Sequence, residues 1–193
     1  MGGMTEPTQE LIDEFVGNAH GNFARVKELL AQYPSILNAS ASWKETAIEA
    51  ASQTGQKEMA EYLLAAGAPT GICTAAMLGL TDRVKEFLKT DRAQADARGA
   101  HGIPALYHAV IRNHEDIAGI LLAHGADVNL DEGKNPAIHG AVLFRQPAMV
   151  EWLIAHGAHV NAKNYEGMTP LAVAMKHENT QMADLLKRNG GTM

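Results

Sequence analysis

Hydrophobic and polar positions alternate along this chain in two kinds of block. In the longer block an apolar residue stands at Val26, Met59, Val84, Ile117, Val150 and Met182. Three or four residues later follow Leu29-Leu30, Leu63-Leu64, Phe87-Leu88, Leu121-Leu122, Leu153-Ile154 and Leu186-Lys187. That spacing puts the apolar side chains on one face of a helix and predicts an amphipathic helix in each block. Glycine follows four of these helices, at Gly67, Gly125, Gly157 and Gly190, where a left-handed C-cap requires it. Twelve residues before each apolar pair stands a small residue, Gly17, Ala51, Ala75, Ala109, Ala141 or Ala174, inside a second, shorter predicted helix. Turn segments such as "TGQ" and "RNHE" separate the two helices.

The small residues are 34, 24, 34, 32 and 33 positions apart, which is a period of about 33 with one deletion. "HGADVN" at 124–129 returns as "HGAHVN" at 156–161, in the same phase. A small residue at a fixed phase lets neighbouring helix pairs approach closely, and no single pair can bury its apolar face alone. The hexapeptide is expected to form the helix C-cap and the first strand of the connection that follows.

Composition narrows the classes. Hydrophobic residues make up 46% of the 193, enough for a core. No apolar run is long enough to span a bilayer. The opening "MGGMTEPTQE" lacks the basic and apolar regions of a secretory signal. Cys73 is the single cysteine, which excludes an internal disulfide and points to a reducing, cytoplasmic setting. The formal charge of −6, without a basic stripe, argues against nucleic acid and anionic membrane as partners.

With these residues in place the chain resembles the ankyrin repeat family. The resemblance rests on "TPL" at 169–171, the histidine of "PAIH" at His139, "GADVN" and "GAHVN", the alanine column and the "LL" column. It implies an all-α solenoid of stacked antiparallel helix pairs with short β-hairpin fingers between them. Six repeats over residues 9–190 form one domain, after a disordered N-terminal segment at 1–8. The end repeats depart from the pattern: the first has "IDE" in place of "TPL", and the last has Lys187 in place of an apolar residue. Polar ends are what a solenoid needs to stay soluble. Repeat 3 ends "KTDRAQADA" without its glycine, so its finger is the least regular. Between repeats 2 and 3 only Ala68 and Pro69 separate Gly67 from Thr70, so that finger is deleted and the finger row should be notched.

Catalytic and metal signatures are not found. His156 and His159 flank a helix-ending glycine and need not share a face. His139 is expected to hydrogen-bond locally and order its turn, and His114 to sit in the turn between helices. Cys73 shares its slot with Tyr107 and His139, a semi-buried packing position. "GAHGIPALYHA" at 99–109 lacks the ending of a phosphate loop. No cofactor and no metal site are expected, and the chain is not expected to be an enzyme.

By the resemblance, a partner docks on the concave side, built from finger tips and from the solvent-facing ends of the short helices. Those ends lie two and three residues past the small residue and include Met77, Leu78, Ile111, Arg112, Leu143 and Phe144. The finger tips hold Trp43, His101 and Tyr165, and Glu132 at the same slot. Aromatic residues and arginine are enriched at binding hot spots. The expected function is therefore a non-catalytic protein–protein interaction module with an unidentified protein partner. It is expected to be a monomer, with weak self-association through the apolar row as the variant reading. A competing structural reading has Met77, Leu78 and Leu143 filling space left by the missing finger. The competing functional reading is a small-molecule-binding or hydrolytic protein with a pocket near Cys73, Tyr107 and His108.

Overall fold

Twelve α-helices pair in chain order in the structure, a computed structural model that describes residues 6–193. The pairs are α1 (Gln9–Asn18) with α2 (Phe23–Gln32), α3 (Ala47–Gln53) with α4 (Lys57–Ala65), and α5 (Ile72–Leu78) with α6 (Thr81–Thr90). Then come α7 (Ala105–Val110) with α8 (Glu115–Ala123), α9 (Ala137–Leu143) with α10 (Pro147–Ala155), and α11 (Pro170–Lys176) with α12 (Thr180–Arg188). Each short helix packs on its own partner, and successive short helices pack on one another. Residues 1–5 of the N-terminal segment expected to be disordered lie outside the described residues. Thr8, just beyond them, caps α1 by accepting the Leu11 amide at 3.3 Å.

Local chemistry sets the helix ends. Thr46 and Glu49 form a reciprocal capping box at α3, and Thr169 caps α11 just ahead of Pro170. Every repeat from the second onward closes its short helix in one way. The amide five residues past the small residue donates to that residue's carbonyl: Gln56 to Ala51, Leu80 to Ala75, His114 to Ala109, Gln146 to Ala141 and Asn179 to Ala174. The residue just before each of these donors has positive φ, and it is glycine only at Gly55 and Gly79; Asn113, Arg145 and Glu178 fill the others. Gly67, Gly125, Gly157 and Gly190 likewise have positive φ after the longer helices, as their positions predict.

The stack holds two hydrophobic clusters. One joins repeats 3 to 6, and the other joins repeats 1 and 2 with Met77, Leu78, Ile103, Tyr107 and Ile111. Helix α5 is buried along its whole length and divides between them: Ala75 and Ala76 face the C-terminal cluster, while Met77 and Leu78 face the N-terminal one. The five anchor alanines are 0–1% exposed. Gly17 departs from the expected register. It is exposed, nothing lies within 4 Å of where its Cβ would be, and Phe15, Val16 and Ala19 fill the core instead. The flank of α1 that carries Gly17 has no neighbour, so no small residue is needed there.

The fingers contain no strands among the described residues. Extended pairing is limited to isolated bridges at Ser40–Thr46 and Arg98–Pro104. The second of these closes the finger that the sequence makes least regular. Elsewhere the connecting segments are turns, and the duplicated hexapeptide does not begin a strand. Its asparagine is a staple between repeats. Asn129 Nδ2 donates to the Gly157 carbonyl at 3.0 Å, and its Oδ1 accepts the His159 amide at 2.8 Å. Asn161 repeats this on the Gly190 carbonyl at 3.1 Å and the Thr192 amide at 2.7 Å. The phase of the repeat thus holds the left-handed glycine caps at Gly157 and Gly190 to the segment before each. No helix among the described residues is long and apolar enough to cross a membrane.

Candidate functional site

The nine residues expected on the docking face divide into two groups. Trp43 (42% exposed), Leu143 (47%), Phe144 (37%) and Tyr165 (72%) keep large apolar surface in solvent, and His101 and Arg112 are exposed beside them. Met77, Leu78 and Ile111 are buried and leave the docking set. Their slots face solvent only if the short-helix ends spread apart, and here they converge. The Phe144 ring comes within 3.1 Å of the Cβ position of Gly55, three repeats earlier in the chain, and the Arg112 Cδ within 3.6 Å of it. Met77 and Ile111 lie between and are covered. Met77 and Leu78 thus pack into the core between neighbouring repeats, and Leu143 does not.

A hub of polar contacts ties finger tips to short-helix ends at the N-terminal side. The Glu45 carboxylate is 1% exposed and accepts from Trp43 Nε1 at 2.7 Å and from Gln53 Nε2 at 2.6 Å. His20 Nε2 stands 3.5 Å and His101 Nε2 3.4 Å from Oε2, the oxygen that takes the Trp43 indole. Trp43 is therefore held by its indole N–H with part of its ring exposed. Tyr165 is fixed through its backbone, whose amide donates to the Lys134 carbonyl of the preceding finger at 2.9 Å.

Met175 is an exposed apolar residue that the slot reasoning passes over, at 47% exposure. It occupies the position one past the small residue. At that position Ser52, Ala76, Val110 and Val142 are buried against the repeat that follows. No repeat follows α12 in the described residues, so Met175 lines an open hollow of about 300 Å³ with Ala183, Asp184 and Lys187. The column was readable in the sequence once the direction of stacking was known.

A second feature lies under the deleted finger. A cleft of about 340 Å³ opens between the short link at Pro69–Gly71 and the "GAHG" loop, with Glu49, Cys73 and His108 in its wall. Tyr107, expected beside them, does not line it. Its ring turns the other way and lies 2.9 Å from where a Cβ on Gly140 would be, and burial raises its phenol to about 12. The Cys73 thiol is buried and pushed up to about 12, first by desolvation and then by the Glu49 charge. His108 is pushed down to about 4 by desolvation, against the opposing effect of the Pro104 carbonyl, which takes its Nδ1 at 2.9 Å. Both groups are neutral across the physiological range.

His114 and His139 join neighbouring repeats, the second in a role other than the expected one. His114 Nε2 meets the Met77 carbonyl at 3.1 Å and joins repeats 3 and 4. His139 does not bond locally. Its Nε2 reaches the Ala162 carbonyl of the next connecting segment at 2.8 Å, and desolvation lowers its pKa. Cys73, in the same slot, points its sulfur at the Ala97 carbonyl of its own next segment at 3.8 Å. Among the described residues no group of three or more His, Cys, Asp or Glu side chains is arranged to hold a metal ion.

Residues 72–164 match the family model described as ankyrin repeats (3 copies), and residues 145–186 match that described as ankyrin repeats (many copies). The helix pairs α1–α2 and α3–α4 lie before both matches and repeat the same architecture. No curated protein matches the chain.

Proposed function

Because the chain belongs to the ankyrin repeat family, whose repeats are generally protein-interaction modules, we propose that it is a non-catalytic docking module. Its protein partner binds the face edged by the finger tips and the short-helix ends. The observation that carries this reading is the exposure of Trp43, Leu143, Phe144 and Tyr165 at those two edges. Large apolar side chains left wet in the free protein gain most from burial against a partner, and rings supply that area at low entropic cost. The buried Glu45 hub supports the reading, because it fixes Trp43 before any partner arrives and lowers the cost of ordering it on binding.

The surroundings of Cys73 speak against the hydrolytic alternative. A nucleophilic cysteine needs a thiolate or a base that can take its proton. A thiol raised to about 12 and an imidazole lowered to about 4 disfavour the thiolate and make the imidazole a weak base. The single unpaired cysteine agrees with a reducing, cytoplasmic setting.

Parallel affinity capture with the wild-type chain and a Leu143→Ser/Tyr165→Ser variant tests the docking face. A protein retained by the first and lost by the second, both folded by circular dichroism, supports it. Equal retention by both overturns it.

A further inference from the structure

Three repeats place an informative residue two positions before the anchor alanine, and the structure relates what each one meets. Cys73 and His139 each face a carbonyl of the segment that follows their repeat, Ala97 and Ala162. In repeat 2 the same slot holds Glu49, and the segment that should cover it is the deleted finger. Glu49 Oε2 is satisfied by the Thr46 amide at 2.9 Å and the Thr46 hydroxyl at 2.7 Å. Its other oxygen, Oε1, has no hydrogen-bond partner among the described residues, and the side chain lines the cleft of about 340 Å³ that the deletion leaves.

A second acceptor faces the same space. His108 is 1% exposed and lines the cleft, with Nδ1 committed to the Pro104 carbonyl. An imidazole that gives its Nδ1 proton to a carbonyl carries a lone pair on Nε2. Among the described residues Nε2 has no partner. Gly99 allows this closeness, because a Cβ there would stand 3.2 Å from His108 Cε1 and 3.4 Å from Cys73 Sγ. Arg98, the one cation in the wall, is turned to other work: its Nη1 bonds Asp131 at 2.5 Å and the Gly102 carbonyl at 2.8 Å.

We propose that this cleft is a binding site for a small alkylammonium group, with Glu49 Oε1 and His108 Nε2 as its acceptors. A carboxylate oxygen and an imidazole lone pair together ask for a donor, and the carboxylate asks for a positive one. Ile48, Pro69, Ile72 and Ala97 supply apolar wall for a short carbon chain. The volume sits at the small end of the range for ligand sites. The proposal does not rest on the docking face.

The test is a titration of the full chain with n-butylammonium chloride, followed by backbone amide and His108 imidazole chemical shifts. Saturable shifts at Gly71, Gly99 and His108 are expected with a dissociation constant of about 1 mM or tighter, which a five-atom ligand can reach. Uncharged 1-pentanol, of similar length, should fail to saturate. Glu49→Gln keeps the capping box, since glutamine serves at that position, and should weaken binding by about tenfold or more. Nα-acetyl-lysine methylamide separates two sources of the same chemistry. Tighter binding than n-butylammonium assigns the cleft to a lysine side chain of a protein segment, and weaker binding assigns it to a free amine. No saturable shift with n-butylammonium, or equal binding of 1-pentanol, overturns the proposal on the wild-type chain alone. Unchanged affinity in folded Glu49→Gln overturns it as well.

Discussion

His101 Nε2 lies 3.4 Å from Glu45 Oε2, although the two residues belong to fingers that lead into repeats 4 and 2. The finger that should stand between them is missing, so the outer two meet across the gap. The notch expected in the finger row is therefore closed at its tip, with the cleft beneath it. Glu45→Leu would leave the Trp43 indole N–H and a Gln53 N–H without their acceptor. A loss of about 1–3 kcal/mol in urea unfolding is expected, the usual cost of an unsatisfied buried donor. A shift in tryptophan fluorescence of the folded variant should accompany it.

Arg145 and Glu178 hold φ values of 56° and 54° in the turns after α9 and α11. L-residues with a full side chain are strained in that region by roughly 1–2 kcal/mol, and glycine recovers part of this after its own entropic cost. Arg145→Gly and Glu178→Gly should each raise stability by about 0.5 kcal/mol or slightly more. Asn113→Gly, at the same position in repeat 4, should gain less because asparagine tolerates the region. Chemical denaturation of the three variants checks the order.

Acid should destabilise the fold in a defined window. His108 titrates near 6.5 when unfolded and near 4 when folded, so between those values the unfolded chain binds the extra proton. Stability from this group is complete above the unfolded value and is lost as pH falls through the folded one. The loss is on the order of 3 kcal/mol. His139, lowered for the same reason, acts in the same direction. Unfolding free energies measured from pH 7 to pH 4 should fall, and His108→Gln should make the decline shallower.

Much of this architecture was legible because the core columns depend only on period. Val26, Met59, Val84, Ile117, Val150 and Met182 are all 0–1% exposed, as their spacing predicts. The alanine column was legible for the same reason, and Gly17 was misplaced in it because an end repeat lacks one neighbour. Met77 and Ile111 were misread because slot reasoning assigns a residue to a helix end without fixing how the helix ends converge. That convergence is tertiary, and it places Phe144 against Gly55. The finger strands did not form, and Asn129, Asn161 and Asn164 instead bond backbone groups of the connecting segments and caps with their side chains. The cleft was foreseen in position, since a deletion is visible in the sequence, while the free oxygen of Glu49 was not.

Close stacking has its own test at Gly140. A Cβ there would lie 2.9 Å from Tyr107 Cε2 and 3.1 Å from Ile111 Cγ2 on the preceding repeat. Alanine raises helix propensity by about 1 kcal/mol, yet the buried ring has little room to retreat. Gly140→Ala should therefore lower stability by roughly 1–2 kcal/mol net. Lys85→Ala, on the exposed face of α6, should stay within about 0.5 kcal/mol. Thermal unfolding of the pair compares the two.

The docking face is tested most directly by titrating a captured protein partner against the wild-type chain, Leu143→Ser, Tyr165→Ser and Glu151→Ala. Leu143 and Tyr165 are exposed, and among the described residues neither side chain takes part in a hydrogen bond, so both variants should keep the fold. Glu151 is exposed on α10, away from the proposed face. The account predicts that at least one of the first two weakens binding by about 2 kcal/mol, roughly thirtyfold, while Glu151→Ala leaves it unchanged. Folded Leu143→Ser and Tyr165→Ser variants that both bind as tightly as the wild type would contradict it.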